Sequence, residues 1–175
     1  MIFDSHYWRR ELRRSIADIN IRTRQGRWTE ATFGNFERSL MTGFYTVRKL
    51  MESKLASAKL TGTNWPLTAF PFKGGHIGAH LIWPDIPERY DLASPKKVSK
   101  ATGFIANQFI HSYVFTPSFD NSGTLNGVFV SSETEAPKHV FWAPITTIAK
   151  IFTTVAGSRG MPFRIAPHRN RIKYP

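Results

Sequence analysis

The sequence has no cysteine, few acidic residues and no long apolar run. Each shortage removes a class of protein. Without cysteine there is no disulfide framework, no thiolate metal cage and no cysteine nucleophile. The absence suits a reducing compartment. No stretch approaches the roughly 18 to 20 apolar residues that span a bilayer as a helix. The apolar segments 77–83 and 140–143 are short or broken by Gly and His. At the start, Ile2 and Phe3 precede the cluster Arg9, Arg10, Arg13 and Arg14. A secretory leader has the opposite order, with its apolar stretch after the positive charge. The expectation is a cytoplasmic protein with no membrane span.

The shortage of acid is the most informative. Against 24 Lys+Arg stand 12 Asp+Glu, a formal charge of +12, and the pI is near 10.4. No acidic residue follows Glu135, while Lys138, Lys150, Arg159, Arg164, Arg169, Arg171 and Lys173 all lie beyond it. Such a chain attracts polyanions before any specific contact forms. Aromatic residues, in contrast, are plentiful, with 14 Phe, 5 Trp and 5 Tyr. That content excludes disorder throughout and suffices for one packed domain over 1–175. Residues 158–175 read as a basic C-terminal tail.

Periodicity predicts a helix over 5–20, with Ser5 or Asp4 as cap and Trp8, Leu12, Ile16 and Ile19 on one face. Arg10, Arg13 and Arg14 fall on the other side. A longer helix is expected over 29–56, capped by Thr29. Its apolar stripe is Phe33, Phe36, Leu40, Phe44, Val47, Met51 and Leu55. Gly43 beside that stripe permits close approach of another helix. The Gly26 turn makes the two helices an antiparallel hairpin. Residues 57–75, punctuated by Gly62, Pro66, Pro71, Gly74 and Gly75, read as irregular. A strand is expected over 76–83, then a proline-rich loop carrying Lys96, Lys97 and Lys100.

Residues 99–110 suit a short helix. Segments 112–116 and 125–131, separated by Pro117 and the Asp120–Gly123 turn residues, suit a β-hairpin. A third strand fits 139–142. A last helix runs from Pro144 to Ala156, with Gly157 ending it in a left-handed conformation. The order predicts an α+β fold: an N-terminal helical hairpin packed on a short antiparallel β-meander with a C-terminal helix.

Several residue sets are candidates for chemistry. His111 ends the segment Ala-Asn-Gln-Phe-Ile-His with Asn107 four residues before it. Over these six residues the chain resembles the signature of the HEPN ribonucleases, in which an Arg and a His act on the RNA phosphodiester. Ala106 stands where that signature has its Arg. The resemblance implies a catalytic role for His111, with Asn107 beside it, and a helical fold.

His76 and His80 have a spacing that serves zinc on a helix, but Gly-Gly-His-Ile-Gly-Ala-His is poor helix and a strand separates them by roughly 13 Å. Only Asp85 and Asp91 lie near as carboxylates. Lys73-Gly74-Gly75 lacks the residues of a P-loop and reads as a turn. Glu37, beside the apolar stripe, calls for an arginine partner such as Arg38, Arg48 or one from the first helix. Glu133 and Glu135 belong in a solvated turn. The chain is therefore expected to hold no cofactor and no metal.

The basic residues form the remaining set. Arg9, Arg10, Arg13 and Arg14 lie in the first helix, Lys96, Lys97 and Lys100 in the centre, and Arg164, Arg169, Arg171 and Lys173 in the tail. Arginine suits bidentate phosphate contacts, and Trp28 and Tyr174 are available to stack on bases. The leading expectation is a binding protein for nucleic acid or another polyanion, held mainly through phosphates. One alternative is an interaction subunit of a larger protein assembly, covering Trp65, Phe70, Phe72 and Trp83. Another is a small ribonuclease or toxin-like enzyme using His111.

Overall fold

The computed structural model describes residues 5–57, 60, 62–75 and 86–158. The strongest periodicity yields the longest helix. Helix α2 spans Glu30–Glu52, and Phe36, Leu40, Phe44 and Val47 on its stripe are fully buried. Thr29 caps it: the Thr32 N–H donates to Thr29 Oγ1 at 3.3 Å, and the Thr29 N–H donates to Thr32 Oγ1 at 2.6 Å.

The helix ends four residues before the expected boundary. Lys54 turns left-handed at φ 55°. The Leu55 and Ala56 N–H groups then return to the Leu50 carbonyl at 2.9 and 3.0 Å. Leu55 still packs against the core, so the apolar spacing runs on through a turn that spacing cannot reveal.

Helix α1, Ser5–Arg22, runs antiparallel to α2. The Trp8 ring meets Tyr45 at 6.1 Å between centroids, and Ser15 Oγ donates to the Ser39 carbonyl at 3.2 Å. Two further helices complete this side: α4, Thr102–Ile110, and α5, Ile145–Gly157. The α5 residue Phe152 lies directly on Gly43, where any β-carbon would collide with its ring. Phe44 meets Phe152 edge-on at 4.9 Å and stacks on Phe109 of α4 at 4.1 Å.

The end of α5 departs from expectation. Gly157 does not adopt a left-handed φ; among the described glycines only Gly74, Gly75 and Gly123 do. Arg9 serves the free carbonyls instead. Its Nη1 donates to Val155 O at 2.7 Å and Ala156 O at 3.3 Å, and its Nη2 donates to Leu55 O at 2.6 Å. One guanidinium thus ties α1 to the ends of both other long helices. Burial, and then repulsion from Arg13, lowers its pKa from the ordinary arginine value.

The strands are β1 (Asn64–Pro71), β2 (Lys96–Ala101), β3 (Ser112–Phe119), β4 (Leu125–Ser132) and β5 (His139–Pro144). They form one antiparallel sheet in the order β2-β1-β5-β4-β3. The fold is α+β, and the expected meander is its β3-β4-β5 half. The other half corrects two expectations. β1 occupies the stretch read as irregular, because Pro66 and Pro71 obscured the inward alternation of Trp65, Leu67 and Ala69. β2 takes Lys96, Lys97 and Lys100 out of a loop and onto an edge strand, a place that lysines suit. Pro117 likewise sits within β3; the turn proper is Asp120–Gly123, with Gly123 at φ 78°. The strand expected over 76–83 lies outside the described residues.

β2 and β3 are opposite edges, four strand spacings or about 19 Å apart. α4, nine residues and about 13 Å long, makes most of that crossing on the helical face. Thr102 anchors its start, accepting from Trp65 Nε1 at 2.9 Å and donating to Leu60 O at 3.0 Å. Gln108 anchors its end, accepting from the Ser132 N–H at 2.9 Å.

All four of these helices share the sheet's one face. On the other face a short helix, α3 (Ile86–Arg89), leads to Tyr90. Ile86 and Tyr90 cover Val114, Ala136 and Val140, forming a smaller apolar cluster over one end of that face. Among the described residues, no helix is long and apolar enough to cross a membrane.

Two predictions follow from these contacts. Arg9→Ala leaves helix-terminal carbonyls without a donor and is expected to lower unfolding free energy by about 2 kcal/mol. Arg9→Lys keeps the charge without the fork and should recover less than half of that. Urea titrations that place both variants at the wild-type midpoint contradict the capping role.

Tyr90 is 1% exposed and donates its hydroxyl to the Ala136 carbonyl at 3.0 Å. Burial pushes its pKa up to about 12. The unfolded chain gives up this proton near pH 10 and the folded chain does not. This tyrosine therefore stabilises the fold fully below pH 10, and its contribution falls as pH rises from about 10 to about 12. Tyr90→Phe should show a shallower loss of stability over that window; an identical slope contradicts the assignment.

Candidate functional site

The structure separates the basic residues that the sequence groups. Arg10, Arg13 and Arg14 are exposed on α1, which packs on α2 and α5 on the helical side. Arg10 lies 5.2 Å over the Tyr7 ring, and Arg14 meets Glu11 at 3.0 Å in an exposed pair that contributes little. Arg13 has no ion pair among the described residues. Arg9 turns inward, with its donors on carbonyls. Arg24 and Arg27, which the sequence reading passed over, add exposed charge in the turn after α1.

The central lysines divide between the two faces of the sheet. Lys100 pairs in register with Trp65 and lies 4.7 Å over Phe104 and 5.9 Å over Phe141, on the helical side. Lys96 is exposed at the same edge, in register with Ala69. Lys97 pairs with Thr68 and projects from the opposite face. The tail residues Arg164, Arg169, Arg171 and Lys173, with Tyr174, lie outside the described residues. Lys97 and the α1 arginines thus occupy opposite sides of the sheet.

The outer face around Lys97 is built by register. Lys97, Thr68, Trp142, Phe129 and Thr116 are successive partners across all five strands. The Trp142 indole lies against Gly127, where a β-carbon would collide with its Nε1 edge. Beside this row opens a hollow of about 450 Å³, lined by Pro66, Thr68, Lys97, Ser99 and Pro144. None of the five strands contains an Asp or Glu. The region combines an aromatic ring, hydroxyls and one ammonium with no competing carboxylate.

His111 and Asn107 sit exposed at the end of α4. Arg48 of α2 donates from Nη1 to Asn107 Oδ1 at 2.6 Å and from Nε to Glu52 at 2.7 Å. An arginine from another helix thus lies against Asn107 while also paired with Glu52. The helical fold implied by the HEPN resemblance is not present, since β3 starts at Ser112 directly after His111.

The remaining candidates resolve simply. Arg38 bonds Asn35, Arg48 bonds Glu52, and the α1 ion pairs among the described residues are Arg14–Glu11 and Arg22–Asp18, so none of these arginines is paired with Glu37. Glu135 pairs with Lys138 at 3.0 Å, and Glu133 is exposed. Gly74 and Gly75 form a turn at φ 94° and 96°, and Lys73 Nζ donates to Pro87 O at 2.8 Å. Asp91 bonds the Ala93 N–H at 3.0 Å; the Ser94 hydroxyl, then that N–H, hold its pKa below the usual value. His76, His80 and Asp85 lie outside the described residues, among which no metal-binding cluster of three or more such side chains occurs.

The aromatic residues offered for docking are mostly absorbed. Trp65 packs on the main core, Phe70 and Phe72 on the smaller one, and Trp28 joins Phe33, Phe36 and Phe119. Trp83 lies outside the described residues. Comparison with known proteins found no matching family model, no matching curated protein and no matching solved structure.

Proposed function

We propose that the protein binds nucleic acid or a similar polyanion through the exposed side of α1, with phosphate contacts dominating. The observation that carries this reading is the exposed set Arg10, Arg13 and Arg14, with Arg13 unpaired among the described residues, on a chain of formal charge +12. A rigid helix places Arg10 one turn from Arg13 and Arg14, a spacing that lets them reach separate backbone phosphates. Such contacts fix position without reading bases.

Affinity for random-sequence oligonucleotides should fall steeply with salt. The Arg10→Ala/Arg13→Ala/Arg14→Ala variant should shallow the log–log salt slope by about 2 to 3. Titration of labelled duplex and single strand at several salt concentrations checks both points. No binding at low salt by the wild type sinks the reading.

A second reading rests on the bond between Arg48 and Asn107. It assembles an arginine, an amide and, one helical turn on, an imidazole, which is a set able to bind a phosphodiester and move a proton. This reading expects slow cleavage of single-stranded RNA, abolished by His111→Ala and weakened by Arg48→Ala. RNA left intact by the wild type, or equal cleavage by His111→Ala, removes it.

A further inference from the structure

The helices cover one side of the sheet, and α3 with Tyr90 covers only one end of the other. Among the described residues, none covers the Lys97–Thr68–Trp142 row and the hollow beside it. We propose that this outer face is a platform for unpaired bases, so that the protein prefers single-stranded nucleic acid to duplex. The inference rests on the polyanion reading above and adds which form of the polymer is selected.

Three features argue for that occupant. Trp142 belongs to neither apolar cluster, although it is half-buried. Its ring lies over Gly127, where a side chain would displace it. A ring held this way presents a π-face on which any base can stack. Lys97 stands two strand spacings, about 10 Å, along the same row, able to meet a backbone phosphate.

To one side of that row, the hollow of about 450 Å³ is walled by Pro66, Pro144, Leu67 and Val98, with Lys97 and the hydroxyl-bearing Thr68 and Ser99. That combination suits the edge and face of a flat heterocycle. Finally, the sheet carries lysine and no carboxylate, so its charge complements a polyphosphate rather than a basic or neutral peptide. A duplex buries its base faces in its own stack and gains nothing from the ring.

The test compares binding of a fluorescent twelve-nucleotide oligo-dT, the same length of oligo-U and a twelve-base-pair duplex at one salt concentration. Wild type should favour the single strands. Lys97→Glu, an exposed edge substitution that leaves the packing intact, should weaken single-strand binding about tenfold and duplex binding less than about twofold. Trp142→Leu should match it, with thermal melting to verify the fold. Single-strand affinity within twofold of wild type in Lys97→Glu overturns the platform. So does an equal loss for duplex and single strand.

The two proposals fail differently. If the α1 triple variant loses binding and Lys97→Glu does not, the polyanion reading stands and the platform falls. If the wild type binds no oligonucleotide, both fall.

Discussion

The helical side of the molecule is organised by the seat of Phe152 on Gly43. A side chain at position 43 would hold α5 away from α2 by the width of a methyl group. With none there, Phe152 reaches Phe44, and Phe44 in turn stacks on Phe109. Three helices from distant parts of the chain are brought to one aromatic contact, buried to 0% exposure at each ring. Arg9 then closes the same junction from its end, joining α1 to the carbonyls of α5 and to Leu55. The packing sets the helix spacing, and the guanidinium satisfies the groups that this spacing leaves buried.

Loading the helices on one side has a consequence for the sheet. Strands that are amphipathic by alternation must send half their residues to the other face. Five strands supply more of that face than α3 and Tyr90 can cover, so a strip is left uncovered by the described residues. The residues on it are those that tolerate water on one side: Thr68, Ser99, Lys97 and the indole of Trp142. The site therefore arises from the topology, and the same constraint explains why Lys97 and Lys100, three residues apart on one strand, have opposite surroundings.

Much of this was legible in the residues. The stripe on α2, the Thr29 cap, the close approach at Gly43 and the hairpin around Asp120–Gly123 all follow from local rules. Failures came where a local signal had a distant cause. Pro66 and Pro71 looked like loop residues, yet β1 accommodates both while Trp65, Leu67 and Ala69 fill the core. Gly157 looked like a helix terminator, but the carbonyls it would have relieved are met by Arg9, 146 residues away from Val155. Arg9 itself read as one of a row of surface arginines. Its partly buried position next to Ser5–Trp8 on the helix gives no sequence sign of that role.

The site was less legible than the fold for the same reason. Arg48 meets Asn107 across 59 residues, and Trp142 meets Gly127 only through strand register. Neither pair has a spacing that a motif could encode. Charge was legible as an amount but not as a surface. The excess of +12 left open whether the basic segments meet on one face; among the described residues Arg9 and Lys100 are withdrawn onto carbonyls and rings, Arg14 is matched by Glu11, and Lys97 and the α1 arginines stand on opposite sides of the sheet. Long-range attraction needs only the total, because a polyanion senses the whole field at a distance. Grip needs local groups, and there the two sides differ: guanidiniums beside the exposed Tyr7 ring on α1, one ammonium with an indole and a hollow on the sheet. On the proposed reading, a polymer that exposes both phosphates and bases gains charge and stacking contacts from the sheet side, whereas a phosphate-only polyanion gains charge contacts alone.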